Sequence, residues 1–282
     1  MSIPTLTGKT RIAGIFGWPV DHSRSPRLHG YWLQQSGIDG AYVPFATHPS
    51  KLEQAIRALP ALGFRGGNIT LPHKERALGF VDALTPVAKR IGAINMLVAR
   101  DDGTILGDNS DGFGFIANLQ QFQRSWRGSD GPAVLLGAGG AARAIVVSLL
   151  DAGVPEIRLV NRTTRRAEEI AEAVGGPIKV LPWDARADAL QDAALLVNGT
   201  TLGMAGQPPL ELDLAKLPTS AVVYDIVYVP LLTELLKAAQ ARGNKTVDGI
   251  GMLLHQGRPG FKAWFGADAQ VTPELRAFVL GT

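Results

Sequence analysis

The sequence predicts an α/β chain of two domains, and three observations carry that reading. Strand-like and helix-like stretches alternate along the first third; five continuous apolar runs separated by helical segments follow; and 282 residues, 46% of them hydrophobic, suffice to bury two modest cores. Continuous apolar runs, as opposed to alternating ones, suit strands covered on both faces of a parallel sheet.

Each element has a local reason. RIAGIFG at 11–17 reads as a strand and SPRLHGYWLQQSG from Ser25 as a helix, and AYVPFA at 41–46 with KLEQAIRAL from Lys51 repeats the pair. In NITLPHKE, Asn68 to Leu71 reads as a strand end, because β-branched residues favour a ladder that Pro72 cannot extend. Lys74 then opens a helix with its body at 77–81. A short helix around PVAKRIG precedes two strands, AINMLVAR and TILGDN, turned by Asp101, Asp102 and Gly103. After the polar stretch QRSWRGSDGP come the five apolar runs, PAVLLGAGGAAR, EIRLVNRT, IKVLP, AALLVNGT and AVVYDIV. The domains are read as 1–107, completed by helices within 240–282, and 108–239.

Composition narrows the chemistry. The absence of cysteine excludes disulfides, thiolate zinc sites, iron–sulfur clusters and cysteine nucleophiles together. A net charge of +3 with scattered basic residues predicts no nucleic-acid partner. No apolar run approaches a membrane span and no signal core opens the chain, so a soluble cytoplasmic protein is expected. The five histidines, at 22, 29, 48, 73 and 255, lack paired ligand spacing, and no metal is predicted. Asn68, Asn161 and Asn198 each head an Asn-x-Thr sequon and are read as structural.

Gly137, Ala138, Gly139, Gly140 and Ala141 follow a strand and precede a helix. Small residues there permit a tight turn and let a pyrophosphate approach the helix N-terminus, which predicts a dinucleotide site in a doubly wound domain. The next strand ends in Asn161-Arg162-Thr163-Thr164-Arg165-Arg166, with no acid to bond ribose hydroxyls and several guanidinium groups for a 2′-phosphate. NADP is the predicted cofactor. A nicotinamide enzyme must also move a proton. Tyr-x-x-x-Lys is missing, and a lysine near a helix N-terminus gains nothing from the backbone dipole, so Lys74 is the leading candidate. Asp111, at the domain junction, is the candidate carboxylate to face it across a cleft, and Asp108 reads as a helix cap.

SRSP at 23–26, NITLPHK at 68–74, AIN at 93–95, GDNSDG at 107–112, GAGGAAR at 137–143, NRT at 161–163, YDIVY at 224–228 and DGIGMLLHQG at 248–257 together resemble the shikimate dehydrogenases. The motifs occur in family order across nearly the whole chain. The resemblance implies an N-terminal α/β substrate domain plus a Rossmann-like doubly wound NADP-binding domain. It also implies NADPH-dependent reduction of 3-dehydroshikimate to shikimate in aromatic amino-acid biosynthesis. Carried over by position, it makes Lys74 and Asp111 the catalytic pair and gives the substrate carboxylate to Ser23 and Ser25. Asn68, Thr70, Asn95, Tyr228 and Gln256 would line the rest of the substrate site. Residues 137–141 with Asn161, Arg162, Thr163 and Arg166 would hold NADP, with Ile226 and Gly249 near the nicotinamide.

Two positions depart from the family pattern. Met96 stands where threonine is usual, and Pro86 where an acidic residue is frequent. Strand alternation, with Asn95 facing the site, predicts that Met96 points into the core. The sequence leaves open a quinate/shikimate dehydrogenase, a catalytically weak NADP-binding regulator on the same fold, and either a monomer or a homodimer.

Overall fold

The computed structural model describes residues 6–281, which divide into two compact units. One runs to Ser110 and resumes at Leu253; the other is Asp111–Met252. These limits differ from the boundaries read in the sequence. The second unit keeps the strand Lys245–Val247, which pairs in parallel with the strand Val222–Asp225.

The first unit is built on β1 (Arg11–Gly17), β2 (Gly40–Ala46), β3 (Phe64–Ile69), β4 (Ala83–Leu84), β5 (Met96–Ala99) and β6 (Ile105–Asp108), in the order β2-β1-β3-β5-β6-β4. β1, β2 and β3 run parallel, and β5 is antiparallel to both β3 and β6. Gly103, at φ 82°, closes the β5–β6 turn in a conformation that favours glycine. Its helices are α1 (Ser25–Ser36), α2 (Leu52–Arg57) and α3 (Pro86–Ile91). Pro86 occupies the first turn of α3 behind Thr85, whose hydroxyl accepts the Ala88 N–H. A missing N–H costs nothing there, which accounts for the proline.

Two sequence expectations change in this unit. The segment after Lys74 is a 3₁₀ turn, Arg76–Phe80, and not an α-helix, because the run is short and Gly79 weakens it. Asp108 ends β6, and its carboxylate accepts the Asn109 N–H and the Thr85 hydroxyl, so it does not cap the helix that starts at Asp111. Met96 is buried as expected, and it pairs directly with Asn68 and so shares the Asn68 face of the sheet.

The second unit contains α4 (Asp111–Phe122), β7 (Ala133–Leu136), α5 (Ala142–Asp151), β8 (Ile157–Asn161), α6 (Thr164–Val174), β9 (Ile178–Pro182), β10 (Leu195–Asn198), β11 (Val222–Asp225), α7 (Glu234–Ala241) and β12 (Lys245–Val247). All strands are parallel, in the order β12-β11-β10-β7-β8-β9. This is a doubly wound sheet whose strand order reverses between β7 and β10, the place where such sheets receive ligands beyond the strand ends. β7 and β10 are buried at every residue, with core on both faces.

The chain returns to the first unit within α8 (Ile250–Phe265) and ends in α9 (Pro273–Leu280). Trp264 Nε1 donates to the Leu97 carbonyl at 2.8 Å, and Arg11 donates to the Phe265 carbonyl at 2.6 Å. Arg24 and Arg27 donate to carbonyls at the end of α9, where cations complement the helix dipole. Part of the basic charge is thereby structural. Among the described residues no helix is long and apolar enough to cross a membrane.

Candidate active site

In the first unit, Asn68, Asn95 and Gln256, three of the residues expected to bind substrate, form a connected polar network with Ser110. Ser25 begins α1, and its N–H donates to Ser23 Oγ at 3.3 Å. Asn68, at the end of β3, donates through Nδ2 to the Asn95 carbonyl at 3.0 Å. Asn95 donates in turn to Gln256 Oε1 at 3.3 Å, while its Oδ1 accepts the Ser110 N–H at 2.8 Å. Ser110 Oγ donates to the Gln256 carbonyl at 2.9 Å, tying α8 to the same cluster. Thr70 follows β3, its N–H donating to the Phe16 carbonyl, and a Cβ at Gly17 would lie 2.4 Å from Thr70 Cγ2. Gly17 therefore makes room for Thr70.

Lys74 sits half-buried in the turn after β3, and its carbonyl accepts the Ile94 N–H at 2.9 Å. The neighbouring His73 is fully buried, and its Nε2 donates to the Thr47 carbonyl at 2.8 Å. Burial is the main cause that lowers the His73 pKa, and the bond to Thr47 fastens the lysine turn to the segment that follows β2.

In the second unit, Gly137 has φ 100°, and a Cβ there would meet Thr200 Cγ2 at 2.8 Å. Gly139 has open space where a Cβ would stand. A pyrophosphate fits such a turn, which lets backbone N–H groups at the start of α5 face a ligand. Asn161 Oδ1 accepts the Ala138 N–H at 3.2 Å, and its Nδ2 donates to the Thr163 carbonyl at 2.8 Å. Arg162 and Arg166 are exposed, α6 has no acid in its first turn, and Arg165 pairs with Glu169 at 3.2 Å. The donor set suits a phosphate on the ribose and offers no carboxylate to repel it.

Asp111 is buried as the first residue of α4, where the helix dipole favours a carboxylate. Ile226 and Gly249 are close neighbours, because a Cβ on Gly249 would lie 2.2 Å from the Ile226 carbonyl oxygen. Tyr228 is half-buried two residues beyond Ile226. Beneath this segment Asp225 accepts from Asn198 Nδ2, the Val227 N–H and the Thr233 hydroxyl, and burial raises its pKa to about 6. No sequence motif singles out Asp225, Thr233, Asn118 or Tyr42 for a role. Asn118 donates to Tyr224 Oη at 2.7 Å and to the Asp248 carbonyl at 2.8 Å, bracing the loop that carries Gly249. Each of the three sequon asparagines has its side-chain amide hydrogen-bonded within its own unit.

A doubly wound unit with a glycine turn and a carboxylate-free, arginine-rich second strand end defines an NADP-type dinucleotide enzyme, and the separate α/β unit supplies a polar site with a lysine. Family comparison agrees. Residues 15–97 match the shikimate dehydrogenase substrate binding domain, and residues 120–204 match shikimate / quinate 5-dehydrogenase. A shikimate dehydrogenase (NADP(+)) of Paramagnetospirillum magneticum is 61% identical over 98% of this chain and 100% of its own length. The structure of shikimate 5-dehydrogenase from Thermus thermophilus with NADP(H) and shikimate matches with TM-score 0.85 and 34% identity, covering 96% of this chain and 99% of that one. Quinate dehydrogenase from Corynebacterium glutamicum with NAD matches with TM-score 0.88 and 30% identity, covering 97% and 99%. The chain belongs to the shikimate dehydrogenase family.

Proposed function

We propose that this chain catalyses the reversible, NADPH-dependent reduction of 3-dehydroshikimate to shikimate. One observation carries the reading: a relative 61% identical along its entire length is a shikimate dehydrogenase (NADP(+)), and the lysine turn and glycine turn are both intact here. NADPH, when bound, supplies the hydride. The residues proposed to hold it are Gly137 to Ala141, Asn161, Arg162, Thr163 and Arg166, with Ile226 and Gly249 beside the nicotinamide.

In the reduction direction Lys74 donates a proton to the oxygen of the substrate carbonyl as that oxygen gains negative charge, and in oxidation it takes the proton back. Asp111 is proposed as the carboxylate partner of that proton transfer. Ser23 and Ser25 hold the substrate carboxylate at the start of α1, where the backbone dipole adds its own attraction. Asn68, Thr70, Asn95, Tyr228 and Gln256 bond the ring hydroxyls.

Purified protein mixed with NADP and shikimate tests this, by following absorbance of the reduced nicotinamide. Shikimate-dependent reduction of NADP is expected. Cofactor binding without turnover would favour a regulator on this fold.

A further inference from the structure

Tyr42 belongs to no motif, yet it bonds one of the proposed substrate residues. Its hydroxyl donates to Asn68 Oδ1 at 2.6 Å. On the parallel sheet Tyr42 pairs with Ala13 and Asn68 with Ile15, so both side chains leave the same face, and Ala13 leaves room for the phenol to reach across β1. The ring stacks on His29 at 4.1 Å and 15°, and only 7% of the residue is exposed. The hydroxyl has little freedom.

Proton counting fixes the direction of each bond. Asn68 must turn its NH₂ group toward the Asn95 carbonyl, which can only accept, so Oδ1 faces Tyr42. An amide oxygen accepts, hence the single phenolic proton goes to Asn68. With Oδ1 engaged and one N–H spent on Asn95, Asn68 has one N–H left for a ligand. It therefore meets the substrate as a donor with its amide plane held from both sides.

We infer that Tyr42 is a positioning residue for substrate: its hydroxyl locks Asn68 as a hydrogen-bond donor toward a ring oxygen of the bound hydroxy acid. This rests on the proposed shikimate activity, and it goes beyond that reading by giving a task to a residue outside the motifs. Tyr42 acts through its bond to Asn68. Its loss should be felt in substrate affinity alone.

Tyr42→Phe deletes the hydroxyl and keeps the stacked ring. It leaves Asn68 Oδ1 without a donor, and an unpaired buried acceptor corresponds to about 5- to 150-fold in an equilibrium. KM for shikimate is expected to rise by about that factor, with kcat and KM for NADP each within about threefold of the unaltered chain. The double variant with Asn68→Ala should match Asn68→Ala alone, because Tyr42 acts through Asn68. Additive effects in that cycle, an unchanged KM for shikimate, or an equal rise in KM for NADP would each overturn the inference. Failure of the unaltered chain to turn over shikimate would instead overturn the functional reading, and the two failures are told apart in the same assay.

Discussion

Asn161 Oδ1 accepts the Ala138 N–H at 3.2 Å, so the end of β8 holds the glycine turn that follows β7. The same side chain bonds the Thr163 carbonyl, and one residue thus fixes both the turn suited to pyrophosphate and the arginine segment suited to a 2′-phosphate. Cofactor affinity and cofactor choice share a support.

Cofactor choice should reside in the arginines. Arg162→Ala is expected to weaken NADP by about tenfold or more, through loss of a charge-assisted bond to phosphate, while NAD changes little. Dissociation constants for both cofactors check this. A parallel loss for both would move the phosphate contact elsewhere, with Arg166 the next residue to replace.

Lys74→Ala should lower turnover on the order of 10²-fold or more, with NADP affinity little altered. The main chain at Lys74 is anchored by its carbonyl to the Ile94 N–H, so the turn survives removal of the side chain. Turnover near that of the unaltered protein would reject the proton-transfer role.

Stability in acid should depend on His29. The ring is wholly buried, and burial alone pushes its pKa from 6.5 down to about 3. The unfolded chain binds a proton near pH 6.5 and the folded chain does not until about pH 3. Stability is therefore full above the unfolded value and is lost as pH falls through that window, by at most about 1.4 kcal/mol per pH unit. His255, lowered to about 4 chiefly by burial, acts in the same direction, whereas Asp225, raised to about 6, gains stability as pH falls below 6. His29→Phe should flatten the dependence measured by urea unfolding from the neutral range to about pH 4. Parallel curves for the two proteins would contradict the assignment.

Gly249→Ala should destabilise the protein on the order of 1–3 kcal/mol and weaken NADP binding, since its Cβ would press on the Ile226 carbonyl 2.2 Å away. Backbone leaves little room for relief. Thermal unfolding with and without NADP measures both effects, and an unchanged midpoint would show that the loop yields freely.

What the sequence makes legible is local. The glycine turn, the asparagine–arginine strand end and the strand-to-turn step before Lys74 each lie within a few residues of chain, where turn chemistry and propensity act directly. β12 escapes a sequence reading because Lys245–Val247 is too short and too polar to look like a buried strand until its parallel partner is known. Gly79 and a short run turn the expected helix at 77–81 into a 3₁₀ turn. Met96 is buried as alternation from Asn95 predicts, while its pairing with Asn68 across the sheet shows only once the register is known. Tyr42 with Asn68, and Asn118 with Tyr224, are joined over 26 and 106 residues of chain, and no local pattern marks such pairs.

The central claim is a shikimate-specific, NADP-linked oxidoreductase, and kcat/KM for shikimate and for quinate, each with NADP and with NAD in one preparation, tests it most directly. Quinate carries an extra hydroxyl on the carbon bearing the carboxylate, which Ser23 and Ser25, proposed to hold that carboxylate, would leave without a partner. Burying such a hydroxyl costs roughly 1–3 kcal/mol, equivalent to about 5- to 150-fold in specificity. Shikimate with NADP should give the highest value of the four. Equal values for the two acids, or a preference for NAD, would contradict the account.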